Sequence, residues 1–311
     1  MSDVDRSICS NVSLSYFDKS YQIKSRRNRP LANIYISTCN HDMPVFGTMY
    51  FFHGYGGSPI EPCMKVPMQL AKSNGFDVVA IEGVDLSATS GTEKQLSAMT
   101  LARQKVVIAR ALQFCNDITE LNQEYRISWV HSMSGRAMTD LCVYSPFVRN
   151  YFNEHVLANP YFVAPGRVRI LFDRMMRIDP TGQTWLRFIH KTSTKFRTIE
   201  NVQYQFPASL YNLNVPLPKA WALSPNDIAS QMATLLNGNY VTFLLGTKDD
   251  MAEYDMNMMY YQALPTSNKN LVLIDGGDHA LENSIAQLAN ASRQILQNIQ
   301  QRRLDNTRQQ A

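Results

Sequence analysis

The sequence predicts an α/β protein: a mostly parallel central sheet with helices on both faces. Six short runs rich in β-branched and aromatic residues recur along the chain, TMYFFHG, FDVVAIEG, YRISWVHS, HVLANP, YVTFLLG and NLVLIDGG. Each is the length of a buried strand and closes on a turn or a polar residue. Helix-length segments separate them, as parallel crossovers require. At 311 residues, 45% hydrophobic and 18% charged, the chain has ample material for one large core or two modest ones.

In chain order, VSLSYF, YQIKS and ANIYIS alternate in polarity and predict an N-terminal hairpin. Residues 61–74 and about 93–119 carry helical spacing; in the second, Leu96, Met99, Ala102, Val106, Ala109 and Leu112 recur at steps of three and four. A further helix is expected from Ser134 to Tyr144 and a last one from Leu281 to Arg302, before a polar tail, RRLDNTRQQA, expected to fray. From about Tyr161 to Asn239 no clear strand is evident, and prolines punctuate a mixture of aromatic and basic residues. Residues 161–239 therefore read as an insertion, expected to form a small helical lid over the carboxyl edge of a core made of 1–160 and 240–311.

Composition excludes several functions. The net charge of +4 is spread along the chain, which gives no footprint for nucleic acid. No stretch approaches the roughly 18 apolar residues of a membrane span, and the start MSDVDRSICSNVS lacks the pattern of a secretory signal. Five cysteines without a CxxC pair suit reduced thiols. The expected location is the cytoplasm, with export lacking a cleaved signal as the alternative. Six scattered histidines form no metal-binding pattern, so neither a metal nor another cofactor is expected.

The residues that carry chemistry stand at the ends of the predicted strands. Ser132 follows YRISWVH and precedes a helix, which places a hydroxyl on a sharp strand-to-helix turn. The glycine-rich HGYGG, residues 53–57, follows TMYFF, where Gly54, Gly56 and Gly57 free the backbone to turn its amides inward. Asp249 and Asp250 close YVTFLLGTKDD, and a carboxylate there would hold a histidine in one tautomer. His279 lies in DGGDHALEN, before the last helix, with Asp275 and Asp278 as competing partners for its ring.

In VHSMSG the sequence resembles the nucleophile elbow of α/β-hydrolases, usually GxSxG and often GHSMGG, with Val130 and Ser134 in place of two glycines. The likeness covers about residues 45–160 and 240–295, with oxyanion loop, Ser, Asp and His in the family's chain order. It implies Ser132 as nucleophile, His279 as general base, and Asp249 as orienting acid through a G-x-x-D pattern, with Asp250 as fallback. It also implies oxyanion donors in the backbone amides of Tyr55 and Met133. Ser134 is a rival nucleophile by type, but its neighbour two residues on, Arg136, would crowd such a turn more than Ser134 crowds Ser132. Val130 is expected to need extra room. Glu82 takes the acidic place of a family loop, His53 and His131 are expected to bond backbone, and Cys142 to pack as a small apolar residue.

The implied activity is hydrolysis of a carboxylic ester or thioester, small or lipid, through an acyl-serine. The alternative is a catalytically weak or inactive binding protein on the same fold. From Arg167 to Arg197 eight Lys or Arg oppose two Asp among apolar residues. This basic part of the lid is either a solvated helical face or a contact for an anionic lipid surface or acidic head group.

Overall fold

A computed structural model of the chain describes residues 7–8, 16–25, 28–39, 45–54, 57–83, 101–162, 196–199, 202–205, 239–249 and 252–310. The chain enters through β1 (Ser7–Ile8), β2 (Lys19–Lys24) and β3 (Pro30–Ser37). Strands and helices then alternate: β4 (Gly47–Phe52), α1 (Pro62–Ser73), β5 (Phe76–Gly83), α2 (Leu101–Asn116), β6 (Arg126–His131), α3 (Met133–Tyr144), α4 (Pro146–Arg149) and β7 (Glu154–Ala158). After β8 (Phe196–Ile199) and β9 (Val202–Gln205) come β10 (Tyr240–Gly246), α5 (Tyr254–Ala263) and β11 (Lys269–Ile274). A 3-10 turn (Glu282–Ser284) leads into α6 (Ile285–Gln310).

Among the described residues one sheet runs β1-β2-β3-β5-β4-β6-β7-β10-β11. The six strands from β5 to β11 are mutually parallel and correspond to the six buried runs of the sequence. β1, β2 and β3 are joined to them antiparallel, so YQIKS and ANIYIS do form a hairpin. Of VSLSYF, residues 12–15 lie outside the described residues. Tyr16 and Phe17 are not in a strand; the Tyr16 hydroxyl instead donates to the Met68 carbonyl on α1 at 2.7 Å.

Alternation along each strand divides the core into two layers. Tyr50, Phe52, Val79, Ile81 and Val130 pack with α2, α3, α4 and α5 on one face. Met49, Phe51, Val78, Ala80, Ile127 and Trp129 pack with α1 and α6 on the other. Strands buried on both faces are apolar at most positions, which is why the sequence showed them as runs.

Two expectations are corrected. The tail beyond Arg302 continues α6 to Gln310. Arg302 makes a two-pronged ion pair with Glu154, which also accepts from the Tyr125 hydroxyl, and its guanidinium lies 3.8 Å from the centre of the Tyr240 ring. Arg303 bonds Glu124 and the Val45 carbonyl, both at 3.3 Å, so the start of the polar tail is docked. Within 161–239, β8 and β9 pair antiparallel where no strand was expected. FRTI and VQYQ are two short runs separated by two residues, a hairpin pattern masked by their Arg and Gln. The rest of the expected helical lid, residues 163–195 and 206–238, lies outside the described residues.

Among the described residues three histidines are buried and held neutral by that burial: the His53 ring is lowered in pKa, His131 falls to about 3 and His155 to about 4. Above pH ~6.5 this costs nothing, because an unfolded histidine is also neutral there. Between ~6.5 and the folded values the unfolded chain binds protons that the folded one refuses, so stability falls with pH by about 1.4 kcal/mol per unit for each such ring. Urea unfolding from pH 7 to 4.5 should show this decline. In His155→Gln it should be shallower by one proton, and an unchanged slope would contradict the assignment.

Candidate active site

Four loops meet at the carboxyl edge of the parallel strands, and the turn after β6 is central. Ser132 has φ 55° and ψ −126°, a conformation that costs a serine about 1–3 kcal/mol. Backbone bonds hold it there. Its N–H donates to the Ala158 carbonyl at 3.1 Å, and its own carbonyl accepts from Gly135 at 3.0 Å and Tyr161 at 2.9 Å. The side chain makes no capping bond to α3. It turns instead to His279, with Ser132 Oγ 2.9 Å from Nε2.

On the other side of that ring, Nδ1 lies 2.8 Å from Asp249 Oδ2. The second carboxylate oxygen, Oδ1, accepts from the Ala252 amide at 2.8 Å. With Asp249 only 4% exposed, the carboxylate has exchanged water for these donors. Donation from Nδ1–H to Asp249 leaves Nε2 unprotonated and able to accept the Ser132 proton. The structure thus brings Ser132, His279 and Asp249 into one chain of hydrogen bonds. Asp275 instead receives the Thr247 hydroxyl at 3.2 Å, and Asp278 engages through its main chain. Asp250 lies outside the described residues.

The oxyanion loop comes against the nucleophile. A Cβ on Gly54 would stand 2.7 Å from Ser132 Cβ, so only glycine fits. The Gly57 amide donates to the Gly54 carbonyl at 3.3 Å. Tyr55 and Gly56 lie outside the described residues. Met133 is the first residue of α3, so its amide has no acceptor within the helix.

Ser134, the rival nucleophile, is 1% exposed and committed elsewhere: its hydroxyl donates to the His53 carbonyl and accepts from Gln104 Nε2 at 2.6 Å. It ties the start of the oxyanion loop to α3. Val130 is fully buried in the same core layer as Phe52, Leu157 and Ala137, so its side chain enters the core below the turn. His53 Nδ1 bonds the Gly54 carbonyl at 2.7 Å and His131 Nε2–H donates to the His279 carbonyl at 2.9 Å, both to backbone as expected. Glu82 accepts from Asn33 at 3.1 Å and Tyr35 at 2.7 Å, tying β5 to β3. Cys142 is fully buried, its thiol pushed up to about 12 by burial.

Sequence reasoning used the glycine of G-x-x-D only as a motif marker, and it missed three contributors, the Lys248 amide, Asn159 and Glu61. Gly246, the glycine of G-x-x-D, is where the histidine loop crosses: a Cβ there would lie 2.4 Å from the Gly277 carbonyl oxygen. Lys248 N–H donates to that oxygen at 2.9 Å, which fastens the acid loop to the histidine loop. Asn159, at φ 41° after β7, sends its side chain to both loops. Its signal was Asn-Pro at a strand end, which reads as an ordinary turn. Glu61, just before α1, is half-buried close to His279 and Glu282; burial first, then Glu282, raises its carboxyl to about 6.

No family model matches the sequence, and no curated protein does. Solved structures do. Est1E from Butyrivibrio proteoclasticus is 12% identical, with 86% of this chain and 94% of that chain covered and a TM-score of 0.54. A soluble variant of monoglyceride lipase from Saccharomyces cerevisiae, in complex with a substrate analogue, is 13% identical over 96% and 99%, with a TM-score of 0.57. α/β-Hydrolase domain-containing protein 10 from mouse is 14% identical over 87% and 95%, with a TM-score of 0.54. At such identities the likeness is one of fold, and this chain has the α/β-hydrolase fold.

The Gly246–Gly277 crossing is directly testable. Gly246→Ala should lower stability by about 2 kcal/mol, the usual cost of overpacking against backbone. It should also broaden or shift the low-field proton resonance of His279 Nδ1, read by NMR. A melting curve and resonance like those of wild type would show that the crossing is not tight.

Proposed function

We propose that the protein is a serine hydrolase that cleaves a carboxylic ester or thioester through an acyl-Ser132 intermediate. The observation that carries the reading is the continuous path from Ser132 Oγ through the His279 ring to Asp249, with bonds of 2.9 and 2.8 Å, beside a strained nucleophile. Fold neighbours include the esterase domain of a Rhodothermus marinus protein and a monoglyceride lipase, which supports the ester class.

In this reading the Ser132 oxygen adds to the substrate carbonyl as His279 Nε2 takes its proton. Asp249 stabilises the resulting imidazolium and keeps the ring oriented. The carbonyl electrons move to oxygen, and the negative charge is met by the amides of Met133 and Tyr55. Collapse expels the alcohol or thiol, protonated by His279, and leaves the acyl-serine. Water, deprotonated by the same imidazole, adds to the acyl carbon; the second collapse releases the acid and returns the proton to Ser132.

A fluorophosphonate probe should label the wild type and Ser134→Ala but not Ser132→Ala, read by intact mass. Absence of labelling in the folded wild type would favour the alternative, a binding protein on this fold. Asp249→Asn should lower kcat by about 10⁴, as expected when the acid no longer fixes the histidine tautomer.

We also propose that the insertion 161–239 covers the site as a lid. Its first residues support this: the Tyr161 amide bonds the Ser132 carbonyl at 2.9 Å, and Phe162 packs on Tyr260. Its basic stretch would then face an anionic head group or lipid surface. Arg174→Glu with Arg177→Glu should slow hydrolysis of a lysophospholipid in anionic vesicles about tenfold, the scale of one or two lost charge contacts, and spare a neutral short ester. Equal effects on both substrates would remove the lid from substrate recognition.

A further inference from the structure

The main-chain carbonyl of His279 accepts two side-chain hydrogen bonds, from Asn159 Nδ2 and from His131 Nε2, each at 2.9 Å. We propose that Asn159 and His131 are positioning residues, and that this one oxygen is the point to which all three members of the triad are referenced. The inference deepens the hydrolase reading and rests on it for its consequence on rate.

Asn159 joins the acid to the base. Its Nδ2 also donates to the Asp278 carbonyl at 3.0 Å, while its Oδ1 accepts from the Gly246 amide at 2.8 Å. Its own amide donates to the Leu244 carbonyl at 2.9 Å. One fully buried amide therefore ties the end of β10, which leads to Asp249, to the loop carrying His279. Asparagine suits the place twice over: it tolerates the left-handed φ of 41°, and it offers donors and an acceptor together. An aspartate of the same shape would set a carboxylate against two carbonyl oxygens.

His131 joins the nucleophile to the base. It is the residue before Ser132, and its ring lies 5.0 Å from the His279 ring, centre to centre. A carbonyl can only accept, so the proton is on Nε2; Nδ1 faces the Cys63 thiol at 3.9 Å. The ring stays neutral, held down by burial and by His279 itself. It therefore sets no second cation beside the imidazolium that catalysis creates.

The loop needs such anchors because its backbone is irregular. Gly276 (φ 70°) and Leu281 (φ 58°) flank His279 in the left-handed region, and no strand of the sheet pairs with the residues between. The remaining loop bonds either close local turns, Gly277 to Ile274 at 3.1 Å and Leu281 to Asp278 at 3.3 Å, or tie the loop to the residues after β10, Lys248 to the Gly277 carbonyl at 2.9 Å and Gly276 to the Thr247 hydroxyl at 2.7 Å. They do not fix the loop against β6 or β7. A reacting group displaced by about 1 Å loses about 100-fold in rate.

The test uses the full chain, a short p-nitrophenyl ester and the low-field proton resonance of His279 Nδ1. Asn159→Gly keeps the left-handed backbone and deletes the side-chain bonds; Asn159→Asp keeps the shape and deletes the donors. Both should lower kcat about 100-fold with KM within about twofold of wild type, and both should broaden or shift the resonance while the far-UV spectrum stays native. His131→Leu should lose about tenfold, one misplaced donor's worth, whereas His131→Gln, whose amide N–H reaches equally far, should recover most of that loss. Folded Asn159→Gly with wild-type kcat and resonance would overturn the proposal, as would His131→Gln failing as badly as His131→Leu. If Asn159→Gly does not fold, the two His131 variants decide. If Ser132→Ala hydrolyses the ester as fast as wild type, the hydrolase reading falls; the resonance, which needs no substrate, still decides whether these residues position His279.

Discussion

At the end of β6 the chain must pass from an extended strand into a helix within a single residue, and it does so by placing Ser132 at φ 55°. Neighbouring features follow from that demand. Gly54 has no side chain because Ser132 occupies its space, and Gly135 has none because Pro160 packs where its Cβ would be, 2.8 Å away. The Ser132 amide is taken up by Ala158 at the end of β7, and its carbonyl by Tyr161 beyond that strand and by Gly135 in the first turn of α3. An outlier so surrounded persists because its neighbours over-determine it, and its hydroxyl emerges where His279 can reach it.

Much of this was legible in the sequence because the constraint is local to strand ends. A strand covered on both faces is apolar at most positions, so TMYFF, FDVVAI and YVTFLL announced themselves. Polar residues that break such runs mark the carboxyl edge, and Ser132, Asp249 and His279 all stand there. Contributors that act only across the fold were not legible. Asn159 looks like a turn residue until β10 and the histidine loop are laid beside it. The length of α6 depends on Glu154 and Glu124, far away in sequence, which hold arginines that local composition assigns to a frayed tail. Two short strands inside 161–239 were hidden by polar residues that spoil the alternation.

The departures from the usual elbow have different outcomes. Val130 is absorbed by packing, since the side chain two residues before the nucleophile points into the layer between sheet and α3. Ser134 is put to use, tying α3 to the carbonyl from which the oxyanion loop departs and to Gln104 on α2. A glycine at that place would fit equally well sterically and would leave both partners without it. Side chains at such positions tune how firmly a loop is held, without altering which atoms react.

Strand β7 has a consequence beyond its share of the sheet. Asn159 follows its last residue and grips the loop that carries His279; Glu154, its first residue, grips Arg302 on the helix that this loop feeds. Loop and helix are thus pinned at both ends of the same five-residue ruler. A change in helix length between the pins would have to displace one of them. Evolutionary or engineered changes in helix length are therefore better accommodated after Arg303, downstream of the second pin, than anywhere between the two.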